Sequence, residues 1–148
     1  IYKVRTYLNG EPFTLTYGDG LSDIHMDALL AYHRSKNLAV TVTGVRPPAR
    51  FGELQIDSDG IASGFNEKPQ ASAGMISGGF FVCEPTVFTH MNSREDLVFE
   101  QDPMQSLVGE KLLAVYQHDG FWQCMDTFRD WQLLNSMIDQ EKAPWKVW

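Results

Sequence analysis

Apolar residues in this chain fall into short runs separated by glycine, proline and acidic turns. Phe13-Thr14-Leu15-Thr16-Tyr17 is rich in β-formers and ends at Gly18-Asp19-Gly20, which predicts a buried strand with a carboxylate at its tip. A helix is expected from Ile24 to about Lys36, capped by Ser22 or Asp23, because Ile24, Ala28, Leu29 and Tyr32 share one face. Leu38 to Val45 reads as a β-branched strand. A hairpin follows, with strands near Phe51 to Asp57 and Ile61 to Asn66 turned at Ser58-Asp59-Gly60. Met75 to Val82 reads as a strand interrupted by Gly78-Gly79, and paired glycines inside a strand mark either a close approach or a bulge. Short helices are expected between Glu84 and Gly109, one of them after Asp102-Pro103, and strands at Leu112 to Tyr116 and Phe121 to Met125. The last element starts at Asp126-Thr127, carries Phe128, Trp131, Leu134 and Ile138 at helical spacing, and stops by Ala143-Pro144. At the other end Ile1, Val4, Tyr7 and Leu8 recur at helical spacing with no cap before them, so a helix already begun upstream is expected.

Strands alternating with helices predict an α/β domain, and 148 residues without a linker, repeat or low-complexity tract predict one domain over 1–148. Hydrophobic residues are 43% and charged residues 21%, an ordinary globular composition with no run suited to a membrane span. Net charge is −7, from 12 basic and 19 acidic side chains, which disfavours a nucleic-acid backbone but leaves room for a small anion at a local basic site. Cys83 and Cys124 lack zinc-finger spacing and fit reduced thiols of a cytoplasmic protein, although a single disulfide between them stays open.

Asp19 at a strand end and Asp126 before a helix are the most suggestive acids, since hard oxygen ligands of this kind suit Mg²⁺ bridging phosphates. The alternative is structural: Asp19 makes a tight turn and Asp126 caps the final helix. Lys68 in Glu67-Lys68-Pro69 can face a phosphate while Glu67 accepts from sugar hydroxyls, or both belong to a solvated turn. Gly78-Gly79 with Phe80-Phe81 reads as an open backbone edge beside an aromatic wall, or as a core strand, with the two rings on opposite faces. Arg46, Pro47-Pro48 and Arg50 form a basic loop that either clamps an anion or balances nearby acids. His25, His33, His90 and His118 show neither metal spacing nor a nucleophile's signature and are read as surface or structural.

Five segments in order, Thr16-Tyr17-Gly18-Asp19-Gly20, Arg46-Pro47-Pro48-Ala49-Arg50-Phe51-Gly52, Glu67-Lys68-Pro69, Ser77-Gly78-Gly79-Phe80-Phe81-Val82 and Gly120-Phe121-Trp122-Gln123-Cys124-Met125-Asp126-Thr127, resemble the glucose-1-phosphate cytidylyltransferases. The ending Ala143-Pro144-Trp145-Lys146 adds to the match, which covers nearly the whole chain. The resemblance implies a Rossmann-like nucleotidyltransferase mixed sheet, here the C-terminal, sugar-phosphate-binding portion without the N-terminal nucleotide segment. It implies transfer of a cytidylyl group from CTP to glucose 1-phosphate with Mg²⁺ as cofactor, Asp19 and Asp126 as its ligands, and Lys68 facing the sugar phosphate. Tyr17, Gly18, Glu67, Ser77, Gly78, Gly79 and Trp122 are the implied substrate contacts. Ser77 departs from the family's usual asparagine, which bears on hexose preference. A homo-oligomer making CDP-sugars for surface polysaccharide is also implied, with no nucleic-acid or membrane partner. Two other classes compete: an inactive piece or shortened homologue that only binds or assembles, and a glycosidase built on a facing carboxylate pair.

Overall fold

The computed structural model describes residues 1–47, 53–66 and 74–147. The chain begins with a short 3₁₀ helix, Tyr2–Tyr7. Strand β1, Phe13–Thr16, then lies at the edge of a four-stranded mixed sheet. Its neighbours are, in order, β6 (Ile76–Cys83), β3 (Val40–Val45) and β7 (Leu113–His118). β6 runs antiparallel to both β1 and β3, while β3 and β7 are parallel. Strands β1, β3 and β7 therefore share one direction, and their carboxyl ends meet at one end of the sheet.

All six residues of β3 are buried, which explains why its sequence is a continuous β-branched run rather than an alternation: both faces of this strand are covered. One face holds Val40 and Val42 in a core with Phe81, Cys83, Val87, Phe99 and Leu107. The other meets helix α1, Met26–Lys36, whose buried His33 places Nδ1 2.8 Å from Thr41 Oγ1 and Nε2 3.2 Å from Glu84. Tyr32 of α1 donates its hydroxyl to the Val115 carbonyl at 2.9 Å, tying the helix to β7.

Two small sheets complete the β-structure. Gly20–Ser22 forms β2, antiparallel to β8, Trp122–Cys124, and Glu53–Ile56 (β4) pairs with Ala62–Asn66 (β5) as the expected hairpin. Because Ser22 is in a strand, the α1 cap moves to His25, whose Nδ1 accepts from the Ala28 amide at 3.3 Å. Helix α2, Asp102–Gly109, carries proline in its first turn as expected.

Helix α3, Phe128–Asp139, differs from expectation in two ways. Thr127, not Asp126, is its cap, in a reciprocal capping box with Asp130. Of the four residues on its apolar face only Leu134 is buried; Phe128 is 71% and Trp131 47% exposed, and these two rings stack on each other at 5.3 Å. Helical periodicity is present, but the cover it calls for is not among the described residues.

Both cysteines are free thiols. Burial first, and the nearby Glu84 charge second, push Cys83 from 9.0 up to about 12. The unfolded chain thus loses this proton at lower pH than the folded one, so folding stability falls as pH rises from about 9 toward about 12. Chemical denaturation across that range should show a steeper decline for the wild type than for Cys83→Val; parallel curves would contradict the assignment.

Candidate functional site

The carboxyl ends of β1, β3 and β7 gather residues that are far apart in sequence, as expected of ligand sites in α/β sheets. The Tyr17 amide donates to the Gly79 carbonyl at 2.9 Å, extending the β1–β6 ladder one rung past Thr16 and Phe80. The chain then bends at Gly18-Asp19 and enters β2, where Gly20, Leu21 and Ser22 pair with Cys124, Gln123 and Trp122. One more rung closes the arrangement: the Met125 amide donates to the Asp19 carbonyl at 2.8 Å. Asp126 is the next residue, so the backbones of the two candidate acids are neighbours, and both residues are exposed.

The structural alternative for Asp126 fails, because Thr127 performs the capping. The Asp126 carboxylate instead accepts from Cys124 Sγ at 3.3 Å, and burial is the first cause of a raised Cys124 thiol, followed by that bond. No group of three or more His, Cys, Asp or Glu arranged for a metal is found among the described residues. Two exposed carboxylates on adjacent strand ends still fit Mg²⁺, which takes one or two protein carboxylates and completes its octahedron with phosphate oxygens and water.

Gly78 and Gly79 are buried, and both are required by contact rather than by turn formation. A Cβ on Gly79 would sit 2.7 Å from Tyr17 Cγ, and its φ of +76° is one that side chains avoid. A Cβ on Gly78 would lie 2.8 Å from Val45 Cγ1. The Trp122 indole N–H donates to the Gly78 carbonyl at 2.8 Å, pinning β8 to the start of β6. Trp122 therefore does stand beside the paired glycines. Phe81 is core, stacked obliquely on Tyr17 at 5.6 Å, while Phe80 lies toward Gly20 on the other face.

Tyr17 donates its hydroxyl to Glu100, a residue no local pattern marks as belonging here. Burial, then this bond, push the phenol from 10.0 up to about 12. The Ser77 hydroxyl accepts from the Gly79 amide at 3.3 Å. A second pair missed from sequence is His118 with Asp23, 2.9 Å apart at the end of β7, where Ser22 Oγ also donates to the Phe121 carbonyl at 2.6 Å. These bonds hold the turn that leads into Trp122.

Of the basic loop, Arg46 pairs with Asp119 at 3.6 Å, the charge-balancing role, and Pro48 to Arg50 lie outside the described residues. Glu67 and Lys68 also lie outside them. The four histidines take structural parts: His25 caps α1, His33 bridges Thr41 and Glu84, His90 meets Ser106 at 2.9 Å, and His118 holds Asp23. A cavity of about 670 Å³ opens at the opposite end of the sheet, lined by Glu84, His90, Ser106 and Glu110, and none of the described candidate site residues lines it.

This sheet, with its acids and glycines at the carboxyl ends, is that of an enzyme class: the chain matches the nucleotidyl transferase family over residues 1–139 and belongs to it. It is 42% identical over 148 residues to a Bacillus subtilis (strain 168) protein named probable glucose-1-phosphate cytidylyltransferase, and 40% identical over 147 residues to the glucose-1-phosphate cytidylyltransferase of Salmonella typhi. It covers 100% and 99% of itself in these matches but only 58% and 56% of the relatives, so it spans less than three fifths of their length. Among solved structures, HddC from Yersinia pseudotuberculosis superposes with a TM-score of 0.65 at 16% identity, over 93% of this chain and 60% of that one, a likeness of fold alone.

The close packing of Gly79 predicts the effect of one methyl group. Gly79→Ala should lose about 1–3 kcal/mol to backbone strain and about 1–3 kcal/mol more to overlap with Tyr17. Tyr17→Ala in the same chain should recover the overlap part. Denaturation curves showing strictly additive losses would mean that the two residues do not press on each other.

Proposed function

We propose that this chain supplies the sugar-phosphate and metal side of a glucose-1-phosphate cytidylyltransferase site, in a protein that forms CDP-glucose and pyrophosphate from CTP and glucose 1-phosphate. The observation that supports this reading is the β2–β8 pairing, whose end joins the Asp19 carbonyl to the amide of Met125, the residue before Asp126, at the sheet's carboxyl end. Relatives named for that reaction at 42% and 40% identity support the choice of substrates.

In this reading Asp19 and Asp126 hold Mg²⁺, which when bound neutralises charge on the phosphates. Tyr17 and Gly18 border it. The Gly78-Gly79 backbone, Ser77 and Trp122 form the wall against which the sugar lies, and Glu67 and Lys68 meet its hydroxyls and its phosphate. Lys68 offsets the repulsion of two anions as the sugar phosphate oxygen approaches the α-phosphorus in line. Positioning and electrostatics then supply the rate, with no covalent intermediate on the protein. The nucleotide's own contacts are assigned to the part of such a polypeptide that this chain does not span. A cytoplasmic location, where CTP and sugar phosphates are at hand, and a place in making surface polysaccharide follow from the same reading. No helix among the described residues is long and apolar enough to cross a membrane.

A second reading, an inactive piece that binds sugar phosphate or only assembles with other copies, is favoured by exposed apolar residues. Leu54 and Phe65 pair across the β4–β5 hairpin at 60% and 62% exposure, and Phe128 and Trp131 lie open on α3. They suit a homo-oligomer.

Calorimetric titration separates the readings. With Mg²⁺ present, the chain should bind glucose 1-phosphate and give no heat with CTP alone, and Asp126→Ala should weaken the sugar phosphate about tenfold, the equivalent of ~1.4 kcal/mol. In the CTP-dependent enzyme the same substitution should abolish CDP-glucose formation. Glucose 1-phosphate binding that ignores both chelator and Asp126→Ala would refute the metal assignment, and no binding at all would leave the assembly reading.

A further inference from the structure

We propose that Trp145 is a positioning residue for the metal site: stacked on Phe121, it straps the end of the chain to the start of β8 and so holds Met125, and the Asp126 that follows it, against Asp19. The proposal rests on the function just given. It draws on the ending Ala143-Pro144-Trp145-Lys146, which the site as described does not use. The Phe121 and Trp145 rings lie 5.1 Å apart with an interplanar angle of 28°, a stacked pair.

Phe121 ends the ladder that Asp19 begins. At the metal end the Met125 amide donates to the Asp19 carbonyl at 2.8 Å. At the other end the Phe121 carbonyl accepts from the Asp23 amide at 3.3 Å and from the Ser22 hydroxyl at 2.6 Å. Between these ends only Gly20, Leu21 and Ser22 pair with Cys124, Gln123 and Trp122, and so short a two-stranded pair is marginal by itself in water. Whatever fixes Phe121 therefore steadies the rung at Asp19, and the Trp145 ring is packed on the Phe121 side chain.

The stack also closes a loop. From Phe121 the chain passes through β8, Asp126 and α3, turns at Glu141, whose φ is +54°, with the Lys142 amide donating to the Met137 carbonyl at 2.8 Å, and comes back to Phe121 at Trp145. Asp126 lies at the joint between β8 and α3. Leu134 is the buried residue of that helix, so the core grips it weakly. Gln123 of β8 donates to Asp130 in its first turn at 3.3 Å, and the stack secures the segment beyond its last. A helix held at both ends keeps the joint in one orientation; released at the far end, it pivots about Asp126. Metal affinity then falls with the fraction of chains whose acids are in place.

The test has a metal-free part and a metal part. In Trp145→Ala the Met125 and Asp23 amides should exchange hydrogen roughly two- to tenfold faster than in the wild type, the worth of one aromatic pair, while the amides of β3 keep their rates. Phe121→Leu should do the same, and Trp145→Phe, which keeps a ring, should restore most of the protection. Titration with Mn²⁺ should show its affinity falling by a similar factor in Trp145→Ala and Phe121→Leu and returning in Trp145→Phe. Exchange at Met125 that is unchanged in both variants overturns the proposal, and so does faster exchange with unaltered Mn²⁺ affinity. Acceleration spread equally over β3 would mean that Trp145 serves overall stability alone, and it overturns the proposal too. A wild-type chain that binds no Mn²⁺ refutes the metal site itself, whereas unaltered exchange in a chain that does bind it refutes only the role of Trp145.

Discussion

The site depends on one backbone hydrogen bond, from the Met125 amide to the Asp19 carbonyl. It is the last rung of the short β2–β8 ladder, and without that ladder the two acids belong to turns more than a hundred residues apart in sequence. Three residues of β2 have little strand preference of their own, so the pairing relies on what holds β8 in place. That support comes from side chains: the Trp122 indole on the Gly78 carbonyl, Ser22 on the Phe121 carbonyl, and His118 against Asp23. The first and last of these tie the small sheet to β6 and β7, and the Ser22 bond joins β2 to the residue before β8. A backbone neutral in charge thereby brings Asp19 against Met125, the residue that precedes Asp126.

The same end of the sheet shows why glycine is needed at two adjacent positions. Gly79 is where the Tyr17 ring lies, and Gly78 is squeezed between Val45 and the Trp122 indole. Removing side chains there lets a strand, an aromatic ring and an indole converge, which leaves backbone as the surface beside the acids. Tyr17 is then fixed from both sides, by Gly79 beneath it and by Glu100 at its hydroxyl. The cavity at the other end of the sheet has its own polar lining, yet neither acid nor the glycine pair contributes to it. Chemistry, rather than the size of a hollow, locates the candidate site.

Much of the fold was legible because its signals are local. The β-branched run before Val45, the Gly-Asp-Gly end of the first strand, the hairpin turn at Asp59-Gly60 and the proline at the start of α2 each act within a few residues. What local pattern missed was created by distant partners. Gly20-Leu21-Ser22 becomes a strand only against Trp122–Cys124, and that displaces the cap of α1 from Ser22 or Asp23 to His25. Thr127 took the cap of α3 from Asp126 because the Asp130 side chain could return its bond. Periodicity in α3 told which residues share a face but not that Phe128 and Trp131 would remain exposed. The glycine pair and the acids were singled out from sequence, whereas Glu100 was not, since its link to the site is a hydrogen bond with Tyr17, 83 residues away. Glu67 and Lys68 lie outside the described residues and rest on the sequence alone.

The most direct test of the account is paramagnetic. Mn²⁺, taken as a spectroscopic stand-in for Mg²⁺, should broaden the amide resonances of Gly18 to Gly20 and of Met125 to Thr127 together in the chain's NMR spectrum, and Asp19→Asn or Asp126→Asn should abolish broadening at both segments. Broadening of one segment without the other, or of neither, would contradict a shared cation between these two strand ends.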